Sequence, residues 1–109
     1  MPKNKDNISQ SLVSVIMNCF NGEKYLKQAI DSIYEQTYTN WEIIFWDNNS
    51  IDNSADIAKA YDNKLRYFKG NHTIPLGGAR NKALKKASGE WVGFLDTDDY
   101  WLPEKLSSQ

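Results

Sequence analysis

Apolar residues in this chain fall into four short runs separated by stretches of helical spacing. Leu12 to Met17 is largely apolar and β-branched, and stops at Asn18. Ile43-Ile44-Phe45-Trp46 stops at Asp47, Leu65 to Phe68 forms a third run, and Trp91 to Leu95 a fourth that ends at Asp96. Runs of this length and residue type predict strands. Between them, Tyr25, Leu26, Ala29, Ile30, Ile33 and Tyr34 recur at the spacing of an amphipathic helix. Ala55, Ile57, Ala58 and Tyr61 mark a shorter second helix. Ala79, Ala83, Leu84 and Ala87 mark a third, with Ser88-Gly89 as its left-handed stop. Pro103 suits the first turn of a closing helix, where its missing N–H has no partner in any case.

Strictly alternating strands and helices predict an α/β fold: a Rossmann-like, mostly parallel sheet with helices on both faces. Such sheets bind ligands beyond the carboxyl ends of their strands. Polar residues collect there: Asn18 and Asn21 after the first strand, Asp47 to Ser50 after the second, Asp96 to Asp99 after the fourth. The polar start, residues 1–11, reads as a flexible tail, and residues 12–109 as a domain or part of one.

Composition narrows the function classes. A net charge of -1 makes no electrostatic case for nucleic acid. A single cysteine, Cys19, forms no internal disulfide and points to a reducing, cytoplasmic compartment. No apolar stretch approaches the roughly 18 residues of a membrane span. The turn Asn18-Cys19-Phe20-Asn21-Gly22-Glu23 lacks the glycine pattern that admits a dinucleotide pyrophosphate to a helix N-terminus, and no P-loop occurs. An EF-hand counted from Asp96 fails at Trp101 and Ser107.

What remains is Asp96-Thr97-Asp98-Asp99 at the end of an apolar strand. Three carboxylates at the mouth of a buried strand repel one another unless a cation sits among them. Hard oxygen donors favour Mg²⁺ or Mn²⁺.

Four stretches, in this order, resemble the N-terminal, nucleotide-sugar-binding half of family-2 glycosyltransferases with the GT-A fold: VSVIMNCFNGEKYLKQAIDSI, WEIIFWDNNSIDNS, GGARNKALKKASGEWVGFLDTDD and DDYWLPEKL. The resemblance implies a UDP-, dTDP- or GDP-sugar donor with UDP favoured, a divalent metal, a carbohydrate or lipid-linked acceptor, and inversion at the anomeric carbon. It also implies polysaccharide or lipopolysaccharide assembly at the cytoplasmic face of a membrane. By the same resemblance, Asp47 accepts the imide N–H of the base and Phe20 flanks it. Asp96 lies near ribose and metal, Asp98 is the direct metal ligand, and Asp99 assists through water. Arg80, at the start of the third helix, lies near the pyrophosphate. Asn18, Asn21 and Thr97 complete the expected nucleotide-binding set. The family's usual proline is here Asn18, and its aspartate and glycine after Asp47 are Asn48 and Asn49. Its acceptor half and general base would lie beyond Gln109, so this chain is expected to hold no catalytic base and to be inactive alone.

Other readings compete. A D-x-D after an apolar strand also occurs in haloacid-dehalogenase-type phosphotransferases, but there it follows the first strand, and Tyr100 stands where that family needs Thr or Val. A non-catalytic binding module, or a homo-oligomer paired through an open sheet edge, is the third reading. Asp47 and Asp52 also suit capping roles, with Asp52 the better placed, at the start of the second helix. His72 reads as an exposed loop residue, Cys19 as packing, and Trp46 and Trp91 as core. Trp101 either closes over the sugar or seals the sheet edge.

Overall fold

The computed structural model describes residues 11–107; the tail expected over residues 1–11 lies outside them except for Ser11. Seven elements alternate: β1 (Val13–Cys19), α1 (Glu23–Tyr34), β2 (Trp41–Asp47), α2 (Ser54–Lys59), β3 (Leu65–Lys69), α3 (Leu76–Leu84) and β4 (Trp91–Phe94). The strands form one parallel sheet in the order β3-β2-β1-β4. The chain steps outward from β1 to β3, then returns past β1 to lay β4 on its other side. Right-handed crossovers therefore put α1 and α2 on one face and α3 on the other. The core divides accordingly. Val15, Met17 and Cys19 pack with Leu26, Ile30, Ile33 and Ala58, whereas Ile16 packs with Ile44, Trp46, Ala79 and Ala83. Successive residues of one strand thus serve opposite cores, which is why Ile43 to Trp46 reads as an unbroken apolar run. The reversal of strand order at β1 opens a crevice at the carboxyl ends of β1 and β4.

At the opposite end of the sheet, the buried Glu42 ties α3 and β4 to the centre. Its Oε2 accepts from Ser14 Oγ (2.6 Å) and Ser88 N (2.7 Å), and its Oε1 accepts from Arg66 Nη1 (3.1 Å). Burial pushes this carboxyl up, but the three donors outweigh it and hold the group below its usual value.

Several expectations are corrected. Trp91 is not core. Among the described residues β4 pairs only with β1, and Trp91, Val92 and Phe94 are exposed, Trp91 by 55%. The acidic cluster thus follows an open edge strand, where water relieves much of the repulsion argued for a buried mouth. No described glycine has a positive φ, so Gly89 is not a left-handed stop, and α3 ends at Leu84. Gly89 is needed for space: a Cβ there would lie 2.6 Å from the Leu12 carbonyl oxygen. Residues 103–107 form turns rather than a closing helix. Side chain and backbone at the end of α1 take their polar groups instead, through Gln36 Nε2 to Leu102 O (2.7 Å), Leu106 N to Gln36 Oε1 (2.9 Å) and Thr37 N to Pro103 O (2.9 Å). Trp101 seals the sheet: it packs on the α1 side, 3.2 Å from where a Cβ on Gly93 would stand.

Candidate functional site

Two loops at the carboxyl edge are stapled together. Asn21 N donates to Ser50 Oγ (2.9 Å), Gly22 N to Ser54 Oγ (3.0 Å) and Glu23 N to Asp52 Oδ2 (3.1 Å). In return Ile51 N donates to Asn21 Oδ1 (2.8 Å). Asn21 and Asn49 take positive φ values of 53° and 66°, which asparagine tolerates. The amides that open α1 are thus already satisfied by protein side chains. This is the physical counterpart of the missing glycine-rich fingerprint: the amides of residues 21–23, leading into the first helix, are turned to side chains and not to a pyrophosphate. Asp52 bonds the start of α2, its Oδ1 accepting from Ser54 N (2.9 Å), but the N-cap position is Asn53, which makes no side-chain cap bond.

Asp47 lies beneath this staple with no exposed surface. One carboxylate oxygen accepts from Ser50 N (2.8 Å) and the other from the Tyr67 hydroxyl. Burial pushes the Tyr67 hydroxyl up, and its bond to Asp47 pushes it further. The role expected for Asp47, accepting a base N–H, is compatible with these two bonds, since a carboxylate offers about four acceptor sites, but its side chain is fully buried here. As built, the residue positions the loop. Its neighbour Asn48 is also engaged: Oδ1 accepts from Ile74 N (3.0 Å) and Nδ2 donates to Ile74 O (2.7 Å). That two-point clamp holds the segment leading into α3. Burial pushes the Cys19 thiol up, in keeping with a packing role, and His72 is exposed.

The remaining candidates gather at the crevice. Leu95 N donates to Ile16 O (3.1 Å), which ties the residue before Asp96 to β1 just past the last paired residues, Ile16 and Phe94. Arg80 is the fifth residue of α3, not its first, and reaches toward this end of β4, with Nη2 4.0 Å from Asp96 Oδ1 and its guanidinium over the Phe94 ring (5.4 Å). Both partners are substantially exposed, so this pair is weak and easily exchanged for another ligand. Thr97 touches the first loop: a Cβ on Gly22 would fall 2.8 Å from Thr97 Oγ1, so only glycine allows this approach. Phe20 is half exposed on the same edge. Asp98 and Asp99 are exposed, in a turn closed by Asp99 N to Asp96 O (3.1 Å).

Among the described residues no three His, Cys, Asp or Glu side chains form a ready-made metal cage. This does not disqualify the acidic loop. Mg²⁺-type ions are commonly held by one or two carboxylates together with substrate phosphates and water. The exposed oxygen donors of Asp96 and Asp98 fit that mode, not a pre-built protein site. A separate cleft of about 510 Å³, lined by Lys27, Asp31, Glu35, Tyr100 and Trp101 among others, involves none of the candidate residues. Asn48 and Ser50 were expected only as part of the polar edge, with no role, and Ser54 and Tyr67 were not expected at the site. Ser50 and Ser54 carried a weak signal as loop serines near a helix start, and Tyr67 carried none.

Comparison with known proteins accords with this geometry. The family described as "Glycosyl transferase family 2" matches residues 14–109. An Escherichia coli UDP-Glc:α-D-GlcNAc-diphosphoundecaprenol β-1,3-glucosyltransferase, WfgD, is 39% identical over 99 residues, covering 90% of this chain and 39% of the relative. The putative teichuronic acid biosynthesis glycosyltransferase TuaG of Bacillus subtilis is 37% identical over 101 residues, covering 90% and 40%. This chain therefore spans about two fifths of the length of these relatives. Among solved structures, S. aureus TarS in complex with UDP-GlcNAc superposes with a TM-score of 0.84 at 36% identity, covering 88% of this chain and 29% of that one. The mannosyltransferase PcManGT from Pyrobaculum calidifontis, in complex with GDP-Man and Mn²⁺, superposes with a TM-score of 0.77 at 28% identity, covering 82% and 28%.

Proposed function

Because the chain belongs to glycosyl transferase family 2, we propose that it is the donor-binding part of an enzyme that moves a sugar from a nucleotide-diphosphate sugar to an acceptor hydroxyl, with inversion. The observation that carries this reading is the carboxyl edge of the sheet where β1 and β4 adjoin. It sets a weakly paired Arg80, the exposed carboxylates of Asp96 and Asp98, and the half-exposed Phe20 along one edge. A UDP-sugar is favoured, by analogy with the donor named for WfgD and the ligand of TarS.

In this reading Phe20 stacks on the base, and Asn18, Asn21 and Thr97 line the nucleoside. Arg80 exchanges Asp96 for the diphosphate and offsets the negative charge that grows on the leaving group. Asp98, with Asp96, would hold Mn²⁺ or Mg²⁺, and Asp99 would act through water. When bound, the ion supplies Lewis-acid stabilisation of the leaving diphosphate. Asp47 keeps the loop of residues 47–50 in place and, through acceptor sites its two bonds leave open, would take the imide N–H of the base. The general base that deprotonates the acceptor is assigned to no residue of this chain. These 109 residues alone are therefore expected to bind donor and transfer nothing. A lipid-linked carbohydrate acceptor, in polysaccharide assembly, is supported by analogy with the acceptor named for WfgD and the pathway named for TuaG, and we set it at the cytoplasmic face of a membrane; no helix among the described residues is long and apolar enough to cross one.

Titration of the labelled chain with UDP and Mn²⁺ tests the reading, with amide shifts expected at residues 18–22, 80 and 96–99. Asp98→Ala should weaken Mn²⁺-dependent UDP binding by about tenfold or more while leaving the melting temperature unchanged, since its side chain is exposed. A folded chain whose amides ignore UDP and metal would end the proposal.

A further inference from the structure

Resting on the lipid-linked acceptor of the reading above, we propose that the outer side of α3, carrying Lys82, Lys85 and Lys86, docks on the anionic phospholipid surface of the membrane that holds that acceptor. The net charge of -1 conceals an asymmetry. Residues 63–89 contain seven of the 13 basic residues and none of the 14 acidic ones, so this stretch carries +7 and the remainder -8. The fold keeps the two apart. The stretch supplies β3 and α3, and among the described residues α3 is the only helix on its face of the sheet.

Ala79 and Ala83 are the buried residues of α3, and Lys82, Leu84, Lys85 and Lys86, at its end and just past it, are exposed. None of the three lysines has a carboxylate partner among the described residues. Arg66, which bonds Lys86 O (2.9 Å), is matched by the buried Glu42. The end of a helix accounts for only part of this charge: it is equivalent to roughly half a negative charge, leaving most of three positive charges unbalanced. Lys86 Nζ and the Arg66 guanidinium both lie over the Phe68 ring (5.2 and 5.5 Å), so the aromatic surface on which a nucleic-acid base would stack is covered by cations. Leu84, 37% exposed among the lysines, is an apolar tip of the kind that enters a headgroup layer. Each lysine close to an anionic bilayer adds about fivefold to partition. The same helix links this surface to the site. Arg80 lies five residues before Lys85, roughly 8 Å along the axis, so docking here holds the carboxyl edge close to the bilayer.

Co-sedimentation of the chain with vesicles of equal parts phosphatidylglycerol and phosphatidylcholine, against vesicles of phosphatidylcholine alone, tests the assignment. Wild type is expected to prefer the anionic vesicles by about a hundredfold at low salt and to lose the preference in about 0.5 M salt, where surface charges are screened. Lys82→Gln, Lys85→Gln and Lys86→Gln together should reduce the preference to about fivefold or less, with Mn²⁺-dependent UDP affinity unchanged within about twofold. Lys24→Gln, Lys27→Gln and Lys59→Gln together remove the same charge from α1 and α2 on the opposite face and should leave vesicle binding within about twofold of wild type. Equal weakening by the two triple variants overturns the assignment, as does equal binding of both vesicles by wild type. Tighter binding to duplex DNA than to the anionic vesicles at the same salt also overturns it. Each of these results leaves the donor reading standing, since the UDP titration decides that separately.

Discussion

Replacing Tyr67 with phenylalanine isolates what holds the candidate site in shape. The hydroxyl donates to a carboxylate that has no solvent contact, and the other oxygen of Asp47 is bonded to Ser50 N at 2.8 Å. The ring itself would stay, stacked on Phe45 at 5.8 Å between centroids with Lys59 Nζ 4.9 Å above it. Tyr67→Phe therefore removes one charge-assisted hydrogen bond and leaves a buried carboxylate oxygen bare. A hydrogen bond to a charged group contributes roughly 1.5–3 kcal/mol, so the expected loss is about 2 kcal/mol. For a domain of this size that lowers the melting temperature by on the order of 10 °C. Urea denaturation of wild type, Tyr67→Phe, Asp47→Asn and the double variant gives the coupling directly, expected at 1 kcal/mol or more. The pH dependence has a definite sign. Because folding raises the Tyr67 hydroxyl above its ordinary value of 10.0, its contribution is complete below about pH 10 and disappears as the pH rises through the folded value. A Tyr67→Phe variant within about 0.5 kcal/mol of wild type, or a coupling near zero, would refute the claim that Asp47 is held from both sides.

Two further perturbations test other joints. Folding holds Glu42 below its ordinary value of 4.5, so its contribution is present above that pH and is lost as the pH falls through the folded value. Glu42→Gln should cost about 1–3 kcal/mol at pH 7 and flatten the acid limb of a stability-against-pH curve measured by urea melts. Gly22→Ala should destabilise by about 1–3 kcal/mol, because the new methyl would stand 2.8 Å from Thr97 Oγ1 and 3.2 Å from Cys19 Sγ. Adding Thr97→Ala should recover part of that loss, and strictly additive thermal melts would show that these two loops do not touch.

Much of the molecule was legible from local pattern. The apolar stripe from Tyr25 to Tyr34 carries a period of 3.6, and the runs ending at Asn18, Asp47 and Asp96 are short apolar segments, patterns the chain expresses without reference to distant residues. Their alternation, together with the handedness of crossovers, was enough to place a parallel sheet, helices on both faces and a polar carboxyl edge. The family resemblance brought Arg80 and Asp96 into one site, and the structure puts them 4.0 Å apart. Gly89 was misread because a glycine needed for close approach and one needed for a positive φ look alike in a sequence.

The sequence by itself determined which segments become strands and helices, which ends of the strands turn polar, and that an acidic loop follows the last strand. Only the tertiary structure decided which polar groups are free to meet a ligand. Asp47 and Asn18 look alike in one dimension, yet Tyr67, 20 residues away, bonds the first, while the second has an oxygen with no partner among the described residues. The burial of β4 was decided in the same way, by strand order and not by composition, leaving Trp91 at an open edge. The physical reason is range: periodicity is a property of neighbours along the chain, whereas hydrogen-bond satisfaction and burial depend on contacts between residues tens of positions apart.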